Sequence, residues 1–202
     1  MNSRSLRWVV FGEVAFLFFM GVGVSLHPGY VLASHEGGIS EYGVHIKTAL
    51  LYTLGWTVLA CGNMRAARAC RGGGIRSEKV RTLLLTYSAA SLLVLVSTYF
   101  YSLDAVLSYI HYGFAAVLVV FMSAAGYWSY RQLVNISWAR AVLWVQLLGS
   151  ISTLLSIVGA LHVLFFAESV SNVGCAVLLV RVLLLPVDAE GMMGSSAVVA
   201  VE

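Results

Sequence analysis

The sequence predicts an all-α, polytopic membrane bundle of six transmembrane helices with both termini inside. Composition is the first ground: of 202 residues, 60% are hydrophobic and 10% charged, against roughly 45–50% and about 25% in soluble domains. A chain with mean hydropathy +0.89 lacks the polar surface to coat itself in water. The second ground is pattern, because the apolar runs show neither strand alternation nor internal proline, and such runs satisfy their backbone polar groups in hydrocarbon as helices. The third is the uneven placement of Lys and Arg, taken up below. With two prolines and three cysteines, collagen-like and disulfide-stapled classes are excluded as well.

A helix needs about 20 residues to cross a hydrocarbon core about 30 Å thick. Six stretches reach that length, near 8–26, 44–62, 80–102, 106–128, 140–166 and 169–187, within one domain over 1–187; the short tail, 188–202, is expected to be mobile. The first span follows Arg4 and Arg7 and stops before Pro28. A second reading makes it a secretory signal cleaved after Val31-Leu32-Ala33, which would leave five spans; its length, Glu13 and Pro28 weigh against that. The second span leads into the basic loop 65–81, where Gly72-Gly73-Gly74 reads as a flexible turn, since a phosphate loop would need a preceding strand and a Lys-Ser/Thr ending. In the third, Ser88-Ala89-Ala90-Ser91 suits close helix packing. His111 opens the fourth. The fifth carries Gly149, Ser152, Ser156 and Gly159 on one helical face, again a packing stripe, and the sixth stops at Pro186.

With the N-terminus inside, Arg4, Arg7, Arg65, Arg68, Arg71, Arg76, Lys79, Arg81, Arg131 and Arg140 all fall at the inner face, and only Lys47 near the outer one. That asymmetry sets the orientation. The 65–81 loop then anchors topology against anionic inner-leaflet lipid. Two charges lie within spans: Glu13, about one and a half turns from the inner end of the first, and Arg181, nearly two turns from the inner end of the sixth. Matched depths predict an intramembrane ion pair; the alternative has Arg181 snorkelling to headgroups and Glu13 protonated or reaching interfacial water.

All five histidines map to the outer half. His27, His35 and His45 flank the first outer loop, His111 opens the fourth span and His162 lies near the outer end of the fifth; Glu36, Glu41, Asp104 and Glu168 share that side. The expected polar cluster is Glu41, Lys47, Asp104, His111, His162 and Glu168, with Lys47 pairing one of the carboxylates. Imidazoles with carboxylates are the donor set for zinc, and His111 facing His162 is the arrangement that holds haem. No metal-ligand spacing supports either, so no cofactor is expected, and zinc or haem stands only as an alternative on His111 and His162. Cys61 and Cys70 have no histidine nearby in sequence and at most accept palmitate. The absence of a mid-span lysine, a carbonyl filter motif or a chain of intramembrane acids counts against a photoreceptor, a selective channel and a proton-coupled pump.

Taken in order, Ile39-Ser40-Glu41-Tyr42-Gly43 before the second span, a basic inner loop, His111 early in the fourth span and Glu168 before the sixth give a chain that resembles the damage-regulated autophagy modulator (DRAM) family. Residues 39 to 43 match that family's Ile-Ser-Asp/Glu-x-Gly. Departures are Gly37-Gly38 where the family has proline, the missing Pro-Glu after Gly43, His111-Tyr112-Gly113-Phe114-Ala115 for His-x-x-Gly-Ala, and Ala167-Glu168-Ser169 for Ser-Glu-Trp. The resemblance implies six helices and a membrane or lipid-handling role, and transfers no catalytic residue. The expectation is an integral membrane protein that organises or senses lipid without catalysis. Its partners would be membrane lipids and other membrane proteins, not nucleic acid. A metal-dependent lipid hydrolase or acyl-transfer enzyme, and a haem-binding electron carrier, are the competing classes.

Overall fold

The computed structural model describes residues 3–29, 38–72, 74–101, 103–133 and 135–185, and every regular element among them is helical. Six are long: α1 (Ser3–Leu26), α3 (Ala49–Ala69), α4 (Gly74–Thr98), α5 (Ala105–Gln132), α6 (Ser137–Ile157) and α7 (Leu164–Leu183). Between α1 and α3 the chain makes a 3-10 turn (Gly38–Ser40) and a one-turn helix, α2 (Glu41–Val44). Helices α1, α4, α5, α6 and α7 are each long and apolar enough to cross a membrane. A sixth crossing requires α3 taken together with Gly38–Val44, across a bend of 120°.

Helices α1, α3, α4, α5 and α7 close into a ring, and α6 packs against α5 and α7. Two apolar clusters stack inside it. One holds Phe16, Tyr42, Tyr52, Trp56, Tyr87 and Met122, beside residues 38–44. The other, toward the start of α1 and the end of α7, holds Val9, Ala67, Leu84, Leu143, Leu178 and Val182. Large apolar side chains such as Phe11, Phe18, Val117, Trp144 and Leu148 face outward instead, as a lipid-facing surface requires.

Small residues set the closest helix approaches, because association in lipid depends on backbone proximity. A Cβ on Gly62 of α3 would stand 2.8 Å from the Trp8 carbonyl oxygen and 3.1 Å from the Gly12 Cα of α1. Across α4 and α3, the Ser88 hydroxyl donates to the Ala60 carbonyl at 3.2 Å, so the Ser88–Ser91 run packs as expected. Gln146, fully buried on α6, lies between Gly126 of α5 and Gly174 of α7 and donates Nε2–H to the Met122 carbonyl at 2.7 Å.

Several boundaries depart from the expected spans: α1 and α4 begin five and six residues early, α3 runs seven residues further, α7 ends four residues sooner, and the largest shift is in the fifth. The fifth stops at Ile157, not 166, because Gly159 takes φ +77° in the left-handed position that ends helices. The packing stripe is accordingly shorter: Gly149 lies against Ser171 and Ala167 of α7, while Gly159 is outside the helix. The sixth span starts five residues early, at Leu164, and the regular part of the second starts five residues late, at Ala49. His35, Glu36, the Val31-Leu32-Ala33 site, Pro186 and the tail 188–202 lie outside the described residues.

Candidate functional site: a polar plug and the seam beneath it

Residues 38–44 plug one end of the ring. Gly38 adopts φ +56°, a backbone that a Cβ disfavours, and a Cβ there would sit 2.6 Å from Glu168 Oε2 and 2.7 Å from Leu164 Cγ. This tight entry brings the Ile39 N–H to Glu168 Oε2, which accepts it at 2.8 Å. At the far side of the plug, Gly43 lies under the Tyr52 ring and the Thr98 methyl, whose two hydroxyls share a hydrogen bond of 2.9 Å. Thr48 closes the bend by donating to the Tyr42 carbonyl at 2.8 Å, and the Tyr42 hydroxyl donates to the His27 carbonyl at 3.1 Å.

His111 holds the plug from α5. It is 2% exposed, and both ring nitrogens are used: Nδ1 bonds the Ser97 hydroxyl at 2.8 Å and Nε2 the Ser40 hydroxyl at 3.0 Å. Tyr101 stacks on the imidazole, centroids 4.9 Å apart, and donates to Glu41 Oε1 at 2.8 Å. Burial, then the Glu41 carboxylate beside it, holds the Tyr101 phenol well above the usual tyrosine range.

Of the expected cluster, the structure therefore brings Glu41, His111 and Glu168 to the plug and leaves the other three outside. Asp104 caps α5, accepting the Val106 N–H at 2.6 Å. Lys47 is exposed, with no ion pair to a described carboxylate. His162 stands in the exposed α6–α7 turn, because Gly159 ends α6 before it. A shared His111–His162 metal or haem site is thus not assembled, and among the described residues no three His, Cys, Asp or Glu side chains converge.

The intramembrane ion pair is also corrected. Among the described residues no ion pair joins Glu13 to Arg181. The reason is depth: α1 begins at Ser3 and α7 ends at Leu183, so Glu13 lies about 15 Å along its helix and Arg181 about 3 Å from the end of its own. Glu13 is 8% exposed and lies within electrostatic reach of Tyr87 and Cys175 in the middle of the bundle. The Tyr87 hydroxyl donates to Asn172 Oδ1, and Asn172 is one helical turn from Glu168. A polar seam thus runs from the plug to the membrane centre. Its members outside the charged set and the 39–43 motif, Ser97 and Tyr87 of α4, Tyr101, Trp56 and Asn172, are spread over three helices and a loop, so no local spacing in sequence marks them.

Two grooves open on the flanks. One, of about 760 Å³, lies between the start of α4 and the end of α5; Ile75, Leu83 and Trp128 line it together with Lys79, Thr82 and the Gly72 turn. Glu78, also in its wall, is taken by Arg81 at 2.6 Å. The other, of about 780 Å³, runs along α1 past Phe11, Val14 and Phe18, with Arg7 at one end. Comparison with protein-family models, curated proteins and solved structures finds no match to this chain.

Proposed function

We propose that the protein is a non-catalytic membrane organiser or sensor of lipid that holds an anionic phospholipid in the groove between α4 and α5. The observation that carries this reading is the groove's composition: an apolar trough the size of an acyl chain's surroundings, with Lys79 in its wall and the basic turn that contains Arg71 at the start of α4. A chain seated on Ile75, Leu83 and Trp128 brings its phosphate to the Lys79 ammonium. Trp128 suits the headgroup boundary, where an amphipathic ring is stable. Six spans with both termini inside put this groove in the inner leaflet, whose negative potential favours such a segment.

The plug favours a structural role over catalysis. Both nitrogens of His111 and one carboxylate oxygen each of Glu41 and Glu168 are engaged in holding the plug and its neighbours, whereas a general base or metal ligand needs a lone pair directed at substrate or ion. The resemblance to the DRAM family includes residues 39–43, the segment that forms the plug. Native mass spectrometry on protein released from nanodiscs of mixed phosphatidylglycerol and phosphatidylcholine tests the reading. Phosphatidylglycerol should be retained preferentially, and Lys79→Glu should reduce that preference about fivefold, the effect of about 1 kcal/mol for a basic residue at the surface. Equal retention of both lipids, or an unaltered Lys79→Glu, would contradict it.

A further inference from the structure

Directly below the plug is a small cavity of about 30 Å³, walled by Ile39, Ser40, Trp56, Glu168 and Asn172 among apolar neighbours. Trp56 and Asn172 are each 6% exposed, and their Nε1 and Nδ2 donors have no protein hydrogen-bond partner. Buried N–H donors left unpaired are costly, so these two call for an acceptor. Both belong to residues that face the same small space, as does a carboxylate whose Oε2 already accepts the Ile39 N–H.

We propose that this cavity is a binding site for a single water molecule, which accepts from Trp56 Nε1 and Asn172 Nδ2 and donates to the Glu168 carboxylate. Size suits a water, since a cavity needs only about 10–15 Å³ to hold one, and a buried water needs two to four polar partners. Chemistry points the same way. Two N–H donors repel a metal cation, an apolar occupant would leave them unpaired, and only an oxygen that both accepts and donates satisfies all three groups. Because Asn172 accepts from Tyr87, the water joins the plug's Glu168 to Tyr87 in the middle of the bundle. The site goes beyond the lipid reading and does not depend on it.

The indole N–H of Trp56 is the reporter. Ultraviolet resonance Raman difference spectra between the unmodified protein and Trp56→Phe should place the N–H-sensitive indole band at its hydrogen-bonded position, in lipid nanodiscs and in delipidated detergent alike. A complementary variant carries Phe at Trp8, Trp128, Trp138 and Trp144, none of which is buried, and isolates the same band with the site intact if Trp56→Phe fails to fold. A band at the unbonded position would overturn the proposal. So would a bonded band that appears only with lipid, which would make the occupant a headgroup hydroxyl.

Discussion

Gly38 combines a left-handed backbone with a Cβ position 2.6 Å from Glu168 Oε2, so Gly38→Ala both strains the turn and pushes the carboxylate off the Ile39 N–H. The expected loss is about 1–3 kcal/mol, read as a lowered thermal midpoint in detergent. Gly113 is the control: it lies inside α5 with nothing within 4 Å of a Cβ, and Gly113→Ala should be neutral or stabilising by up to about 1 kcal/mol. Equal effects at the two sites would remove the plug's special status. Tyr101 offers a second test. Its phenol is held above the usual value near about 10, chiefly by burial and then by Glu41, so the neutral form favours folding. Stability from this group is complete below the ordinary tyrosine pKa and declines as pH rises past it. Tyr101→Phe should flatten that alkaline decline and cost about 1 kcal/mol at neutral pH through the lost bond to Glu41; an unchanged alkaline profile would argue against the burial.

At the scale of elements, the α1–α3 contact is the most demanding, since Gly62 meets backbone atoms of α1 rather than a side chain that could turn aside. Gly62→Leu should force the helices apart and cost about 1–3 kcal/mol, whereas Gly21→Leu, with open space around it, should be tolerated; thermal unfolding of the pair separates the two. Much of this level was legible in the sequence. Length and hydropathy located all six long helices, and Gly149 and Ser88 were read correctly as packing residues. The end of α6 was legible too, because Gly159 is a helix stop signal, but read as a fourth member of a small-residue face it carried the span nine residues too far. That shift misplaced His162 and with it the facing-histidine idea. Glu13 and Arg181 failed for a related reason: errors at two helix ends, in opposite directions, made unequal depths look matched. The plug itself was foreshadowed by residues 39–43, Glu41, His111 and Glu168, while its partners Ser97 and Tyr101, the seam of Tyr87 and Asn172, and the Gln146 wedge arise from tertiary proximity that no single-helix period encodes.

For the whole molecule, the ring of five helices with α6 on its flank puts residues 38–44 at one end and the α3–α4 turn at the other. Ile46 and Ile75 are 90% and 76% exposed at these opposite ends. With Cys61 replaced by Ser, Ile46→Cys should react with a membrane-impermeant maleimide in intact cells, and Ile75→Cys only after permeabilisation; the reverse pattern, or labelling of both, would overturn the inside-termini orientation. The same arrangement separates two kinds of polar chemistry. The plug's groups are paired with one another and with backbone, which holds the bundle's end closed, while the groove beside Lys79 is open to the surrounding bilayer. The proposed lipid site is therefore on the flank and not at the histidine-bearing end. Trp128 lines that groove, so its fluorescence, isolated by subtraction of Trp128→Phe, is the most direct probe. In mixed vesicles, brominated phosphatidylglycerol should quench Trp128 more strongly than brominated phosphatidylcholine at equal mole fraction, and Lys79→Glu should abolish the difference. Equal quenching by the two lipids in the unmodified protein would contradict a lipid-organising role built on this groove.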